Sequence, residues 1–595
     1  MAMCRLRLAA ITTALTVVCP VLPGCSPSPS AVVLSTESPE PAPDPGTVYF
    51  RDRTPGSGID HAYRNGEESG QAAILESLGG GVALIDFDRD GRLDIFLTGG
   101  GDFAGPQKTD IVGRPCRLYR NLGGWKFEDV TAKVGLAAGA PFYTHGAAVA
   151  DIDNDGWPDL LVTGWGRLAL WHNEPDGSGG RRFVDTTRKA GLTDALWSTS
   201  AAFADFDGDG FPDLYVAHYV DWSWANNPPC LDYKESKVRD VCPPKQFKGL
   251  PDVVYRNRGD GTFEDVSQAA GLRPDGKGLG VIVADVDGDH KPDVYVANDT
   301  VENFLYLNRS QRGQIRFEEV GRRSGTALDD GGVPNGSMGL AAADYDGTGR
   351  FSLFVANYQH EAHALYRNRG AGQFVFASRS AGITAIGLVY VGFGSWFLDY
   401  DRDGAEDIVV SNGHVVHVPP PPGEVKQLPV LFRNLRAPGQ EPYQVRFANV
   451  APEAGPYFRS KHCGRGLAAG DLDDDGRPDL VISHQNEPAV ILQNVLDNGH
   501  RWLGVRLTGT PYRDAVGAVL TYEAGGRKLV RTVLGGGSYL SASDPRVLFG
   551  LGQQAGPGRL TVRWPSGREQ VFDGLATDRY WDLTEGQPAK AVEQR

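Results

Sequence analysis

Beyond its N-terminal leader the chain has no run long and apolar enough to cross a bilayer as a helix. It has no nucleophile elbow, P-loop, dinucleotide fingerprint or HExxH pair, so the commonest catalytic signatures are missing. Cysteine is scarce, 7 in 595 residues. Setting aside Cys4, Cys19 and Cys25 of the leader leaves Cys116, Cys230, Cys242 and Cys463, and none has the CxxC spacing of a zinc site. Lys and Arg number 59 against 74 Asp and Glu, a formal charge of −15, and nothing points to nucleic acid.

What the chain has in quantity is aspartate in one arrangement. "ALIDFDRDGRLDIF", residues 83–96, sets Asp86, Asp88, Asp90 and Asp94 between two apolar runs. Like charges this close repel, and burying them unpaired is costly. The spacing D-x-D-x-D-G-x-x-D suits a hard cation that takes several oxygens, as in the EF-hand loop, with Gly91 at the sharp turn. The flanks "GVALI" and "IFL" have strand character rather than helix character, so the unit reads as strand, calcium loop, strand.

The unit recurs. Asp151, Asp153, Asp155 and Asp159 form a second copy, and Asp205, Asp207, Asp209 and Asp213 a third. A fourth has Asp285, Asp287, Asp289 and Asp293, with His290 at the glycine position. The fifth keeps only Asp344 and Asp346, Thr348 and Ser352 replacing two acids. Asp399, Asp401, Asp403 and Asp407 make the sixth, and Asp471, Asp473, Asp475 and Asp479 the seventh. About six Ca²⁺ sites are expected, the fifth loop being degenerate. These aspartates account for much of the acidity, which therefore reads as metal sites. Five residues before the first aspartate stands Gly81, Gly146, Gly280, Gly339, Gly394 or Gly466, with Ser200 in the third copy, a small residue for crowded inner strands. After the second strand comes a third ending in Asn, as in "RLYRN" and "VVYRN", then a fourth such as "FEDVT". Four antiparallel strands per unit make a propeller blade.

Fourth strands are expected near Phe127, Phe183, Phe263, Phe317, Phe376 and Phe447, six for seven loops. The seventh unit ends at "AVILQN" with no fourth strand after it, while "YFRDRTP" near the start resembles "KFEDVTA". The strand at 48–54 is therefore expected to complete the last blade and remove the open edge. The expected fold is all-β: a seven-bladed β-propeller with calcium-binding DxDxDG loops at 47–497, a small β-rich domain at 498–588 and a tail at 589–595.

The repeats resemble the FG-GAP or VCBS propellers. "RDAVGAVLTYEAGGRKLVRTVLGGGSYLSASDPRVLFGLG" with "LTVRWPSGREQ" resembles the ASPIC/UnbV domain that follows such repeats in the cartilage acidic protein family and its bacterial relatives. The resemblance implies calcium-binding repeats, extracellular placement and no generally assigned enzymatic activity; some relatives accompany enediyne biosynthesis genes. His290, Thr348 and Ser352 depart from the pattern, which weakens the fourth site slightly and the fifth more.

Residues 1–25 read as a lipoprotein-type signal peptide ending in "LPGC", with Cys25 as the lipidation site; Pro23 is atypical there. A Ser/Pro-rich tether at 26–46 follows. The chain is expected to be exported and lipid-anchored, on the periplasmic or outer surface, or secreted if the lipobox is not used. Cys230 and Cys242 lie in one loop and are expected to pair; Cys116 and Cys463, in the first and last blades, leave a second bond open.

The calcium loops share one face of a propeller, and the long insertions fall on the other. The insertion at 218–252 carries Tyr219, Trp222, Trp224 and Tyr233; "SNGHVVHVPPPPGEVKQLP" adds His414 and His417; connections bring Tyr143, His145, Trp197, Tyr390 and His462. Tyr219, Trp222, Trp224, His145, Tyr390, His414 and His462 are the candidate ligand residues around the channel mouth. The bland alternative is that the aromatics pack the insertion onto the propeller. Three functions stay open: a cell-surface binding or adhesion module for protein or glycan, an exported factor or enzyme of natural-product assembly, and a structural envelope protein. A monomer with no nucleic-acid partner, reaching the membrane only through its lipid, is expected.

Overall fold

Each acidic loop folds with its flanking apolar runs into a strand pair. In the third repeat Ser198–Ala204 and Asp213–His218 are followed by Val253–Asn257 and Phe263–Asp265, a four-stranded antiparallel meander. The structure, a computed structural model, describes residues 48–592 except 139–140, 235–237, 385–387, 438, 511–512 and 555. The leader, the tether and Cys25 lie outside the described residues. Among the described residues there are seven such meanders, and in each the second strand begins at the ninth loop position.

The third-strand asparagine faces a phenylalanine of the fourth strand every time. Asn121 is opposite Phe127 and Asn257 opposite Phe263. Phe50–Asp52 fills the fourth position of the last sheet, with Phe50 opposite Asn494. In the fifth sheet the structure corrects the expected position. The strand is Gln373–Phe376, and Phe374 rather than Phe376 faces Asn368, because both rings of "FVF" lie on one face and the register selects the first.

The first strands of successive sheets pack side by side, and the last packs against the first. Their bulges let them approach closely, as where the register shifts between Ser337 and Leu340. A Cβ on Gly339 would overlap the backbone of Phe393, and one on Gly466 the backbone of Gly80, so the chain of close approaches returns to its start. Apolar side chains such as Phe354, Phe397 and Phe432 fill the space between neighbouring sheets, each full burial stabilising by roughly 1.5–3 kcal/mol. The result is a propeller-like all-β fold.

Residues 501–591 form two further four-stranded sheets. Val547–Gly552, Arg501–Thr508, Tyr580–Thr584 and Lys590–Ala591 make one; Arg527–Thr532, Val519–Ala524, Arg559–Arg563 and Glu569–Asp573 make the other. Leu503, Tyr522, Phe549 and Trp564 are buried in their common core.

From this sandwich the segment 535–544, "GGGSYLSASD", enters among the first strands of the repeats and returns. Gly535–Gly536 adds a strand beside Gly278–Ala284. Ser538 exchanges backbone hydrogen bonds with Leu340 at 2.6 and 2.9 Å, and its Oγ donates to Leu467 O at 2.7 Å. Ala147 N donates to Leu540 O, Leu84 N to Ala542 O, and Asp544 N to Ala469 O. The tip, Tyr539, is fully buried, its ring 4.8 Å from that of Phe393. Ser538 and Leu540 both take positive φ at 55°, an uncommon conformation for such residues, in a segment held on all sides.

Candidate metal centres

The acidic loops are built by their own hydrogen bonds. In the first, Asp86 Oδ2 accepts from Gly91 N at 3.0 Å and Asp90 Oδ1 from Arg92 N at 3.0 Å. The turn needs a left-handed residue at its sixth position, Gly91 at φ 88°; in the fourth loop His290 takes the same conformation at 70°. Three carboxylates converge in each of several loops: Asp86, Asp88 and Asp90; Asp151, Asp153 and Asp155; Asp205, Asp207 and Asp213; Asp285, Asp287 and Asp289. Within each group one oxygen per residue lies within 4.8 Å of the others, so the clusters are able to hold a metal ion.

The electrostatics are those of groups short of positive charge. Burial, then Asp90, pushes Asp86 up to about 6. Burial, then Asp514, pushes Asp151 up to about 7; burial also takes Asp205 to about 7. Buried oxygens with no hydrogen-bond partner remain on Asp86 (Oδ1), Asp151 (Oδ1), Asp346 (Oδ2), Asp399 (Oδ1) and Asp473 (Oδ1), which is costly unless something positive meets them. Guanidinium groups on the third strands or just beyond cover the third and fifth positions: Arg120 Nε lies 2.6 Å from Asp88, Arg256 2.6 and 2.7 Å from Asp207 and Asp209, and Arg433 2.9 Å from Asp401. In the second loop His172 does this, at 3.0 Å from Asp153, which lifts it to about 9.

The ninth-position aspartate has a second role that the spacing did not show. Asp213 Oδ2 accepts from Phe206 N at 2.9 Å and Oδ1 from Asn257 N at 2.8 Å, tying loop to third strand. In the degenerate fifth loop Ser352 Oγ takes the bond from Asn368 N at 3.0 Å. There Arg436 packs against Gly347, and its charge and that of Arg531 act on Asp344.

The third-strand asparagines were visible as a repeat but had no assigned role. Each donates through Nδ2 to a carbonyl in the preceding loop: Asn173 to Phe87, Asn257 to Ile152, Asn308 to Phe206, Asn368 to Val286, Asn434 to Tyr345, Asn494 to Tyr400 and Asn121 to Leu472, all at 2.8–3.1 Å.

On the opposite face the candidate ligand residues are not an open site. His145, His414, Tyr219 and Trp222 are buried, the last two within a core that includes Tyr63, Tyr143, Trp197, Phe393 and Tyr539. Trp222 stands 5.0 Å from Trp224 and 6.1 Å from Trp197; Trp224 is half-buried, 5.2 Å from Phe103. Trp197 Nε1 donates to His145 Nε2 at 2.8 Å, and burial pushes His145 down to about 3. His414 Nε2 meets Gln359 Oε1 at 3.1 Å. Tyr390 is half-buried, and His462, 19% exposed, stacks on Tyr457 at 4.3 Å and faces Glu487 at 3.5 Å. The expected convergence on an open channel mouth is thus corrected: the insertion folds its aromatics inward, and Tyr539 and Leu540 are buried in the same cluster. Cys230 and Cys242 are joined, with Cα atoms 5.2 Å apart, whereas Cys116 and Cys463 are free.

Between the loop face and the C-terminal sandwich lies a cavity of about 350 Å³, bordered by Asp86, Asp151, Asp344, Asp399, Arg402 and Trp396.

Fold and loops together define a propeller-like repeat protein with acidic, metal-competent turns. The chain belongs to the FG-GAP-like repeat proteins that carry an ASPIC and UnbV domain: the repeat model matches residues 86–162, 151–216, 250–296, 285–355 and 344–410, and the domain model residues 508–590. It is similar to cartilage acidic protein 1 of Mus musculus, 23% identical over 511 residues covering 82% of this chain and 70% of that protein. The Xenopus tropicalis protein is 24% identical over 516 residues, with coverage of 82% and 70%. Among solved structures, an Agrocybe aegerita lectin that recognises non-reducing terminal N-acetylglucosamine aligns over 56% of this chain and 77% of its own, with 16% identity and a TM-score of 0.33.

Proposed function

We propose that the seven sheets are the blades of one closed seven-bladed propeller, that its acidic loops bind Ca²⁺ at about six positions, and that the chain acts as an exported binding module for a protein or glycan at the cell surface. The observation that carries the calcium reading is the buried, unpartnered carboxylate oxygens of Asp86, Asp151, Asp399 and Asp473, each inside a loop of four acids. A donor set made mainly of carboxylate oxygen, with carbonyls beside it, suits a hard cation of flexible coordination. Export is supported by the Cys230–Cys242 bond, which persists in oxidising compartments, and by similarity to a protein named for cartilage. Anchoring through Cys25 belongs to the same proposal and rests on the leader sequence.

A binding role is favoured by the architecture: a closed ring fixes its faces while long insertions vary the surface. The outer surface of the 218–252 insertion, where Leu231, Tyr233 and Val238 are exposed, is the part open to a partner. Calorimetric titration of the chelated chain with Ca²⁺ should count about six ions. Capture from a glycan array and from envelope extract, with and without EGTA, tests the module. Fewer than two bound ions would end the calcium reading, and no capture under either condition would end the binding reading.

A further inference from the structure

The C-terminal sandwich does not sit beside the loops: it touches the second, where Asp151 N donates to Asp514 Oδ2 at 2.8 Å and Arg513 Nε to Asn154 O at 2.9 Å while Asp155 stays exposed, and it closes over the sixth and seventh. At the seventh, Tyr580 donates its hydroxyl to Asp471 Oδ2 at 2.8 Å, and Asp471 N donates to Asp544 Oδ2 at 3.4 Å. Arg546 bonds Asp471 O and lies 2.6 Å from Asp474, its guanidinium 4.7 Å over the Tyr580 ring. The Trp502 ring lies against Gly476, where a Cβ would overlap it. At the sixth, His500 Nδ1 is 2.7 Å from Asp401 O, Gly552 N donates to Arg402 O at 2.8 Å, Arg527 bonds Asp403 O, and Gly550 packs against Asp399. Asp399, Asp401 and Asp471 are buried. The fourth loop has no such roof: Gly288, Asp289 and His290 are exposed.

We infer that the C-terminal sandwich is part of the sixth and seventh cation sites, with Tyr580 a positioning residue that fixes the Asp471 carboxylate, so that cations at these two loops and the docking of the sandwich hold one another in place. This rests on the calcium reading above. Tyr580 donates to an acceptor that is already an ion ligand in that reading, so it orients the carboxylate without competing for the metal as a base would. A cation roofed by protein leaves only when the roof opens, whereas one at an exposed loop leaves directly. The coupling is reciprocal: whatever favours docking tightens these sites by the same factor. Because the axial segment 535–544 belongs to the same sandwich, filling loops six and seven also holds that segment in the ring.

The test is calcium release from the loaded full chain into excess fluorescent chelator, read by stopped flow. The total amplitude reports the number of ions and checks the calcium reading alone. The inference requires two phases, with about two ions in the slow one. Tyr580→Phe, which deletes one hydroxyl, should speed the slow phase about tenfold, the size expected for one hydrogen bond to a charged group, and leave the fast phase unchanged. Normal amplitude in a single phase, or a slow phase indifferent to Tyr580→Phe, would overturn it. Hydrogen exchange provides a second readout. On stepwise chelation the amides of Gly537, Ser538 and Ala542 should lose protection before those of Tyr219 and Leu250; loss only together with every other segment would overturn the inference as well.

Discussion

The side-chain amide of Asn121 donates to the carbonyl oxygen of Leu472 at 3.1 Å, across 351 residues of chain. It is the same bond that Asn257 makes to Ile152 in the neighbouring pair of repeats. One local rule, repeated seven times, therefore also joins the last repeat to the first. Because the acceptor lies in an acidic loop, the rule ties each acidic loop to the next sheet.

Asn257→Ala should be destabilising although it removes no apolar area of note. It leaves Ile152 O and Pro212 O without their donor, each bond otherwise at 2.8–3.0 Å, at a cost of about 1–3 kcal/mol. Urea denaturation should show a lower midpoint at unchanged slope. A midpoint equal to that of the parent would mean that water replaces the amide without loss.

Chelation should lower the melting temperature strongly. A site whose free ion stands a hundredfold above its dissociation constant adds about 2.7 kcal/mol, against about 5–15 kcal/mol for a whole domain. Asp151→Ala should remove one ion from the calorimetric count, and Asp344→Ala should change it little, because Ser352 already replaces an acid in that loop and the charges of Arg436 and Arg531 act on Asp344. Equal losses for the two variants would place an ion in the fifth loop.

The calcium increment should grow with pH. Burial holds Asp151 and Asp205 at about 7 in the ion-free fold, above an unfolded value of about 3.9. A raised carboxyl contributes stability that is full below the unfolded value and is lost as pH rises through about 7. Calcium needs the ionised form, so binding releases protons and strengthens over the same range. Melting temperatures with calcium minus those with EGTA should widen from pH 5 to pH 8; a constant difference would show that these carboxylates are ionised without the ion.

Trp222→Ala should melt early. The ring is 3% exposed and sits among Trp197, Trp165 and Trp224, and truncating a buried aromatic costs about 3–5 kcal/mol. Calcium stoichiometry should be unchanged, since no acidic loop touches this core. A variant that melts normally while failing to capture a partner would return Trp222 to the ligand surface.

The parts legible in the sequence were those written by spacing. Asp86, Asp90 and Asp94 declare their turn because their carboxylates accept the loop's own backbone N–H groups at fixed intervals, and the strand near Phe50 matches "FEDVT" because it occupies an equivalent position. The rest depends on partners chosen across long distances. Trp222 reads the same whether its ring faces solvent or Trp197, and its burial follows from how the insertion folds back. "GGGSYLSASD" carries glycine in excess of what a hairpin needs, which was the available sign of close backbone approach, but nothing local says that the approaching backbone is the inner strands of the repeats. Tyr580 is one tyrosine among 21 until the sandwich is docked and its hydroxyl meets Asp471.

In the closed ring proposed above, the segment 535–544 is an axle forged last. Residues 535–544 leave the ribosome after all seven sheets, yet their backbone fills the bore and bonds strands of the first, second, fourth, fifth and seventh. The rim also waits, because Phe50–Asp52 has no neighbour until Val490–Asn494 exists. Synthesis in order therefore yields an open arc with an exposed edge, and a chain cut before residue 535 has a hub lined by glycine and no spindle to fill it. Assembly is postponed to near the end of translation, an order that the proposed export would put to use, since a chain threaded unfolded gains its shape only when every part has arrived.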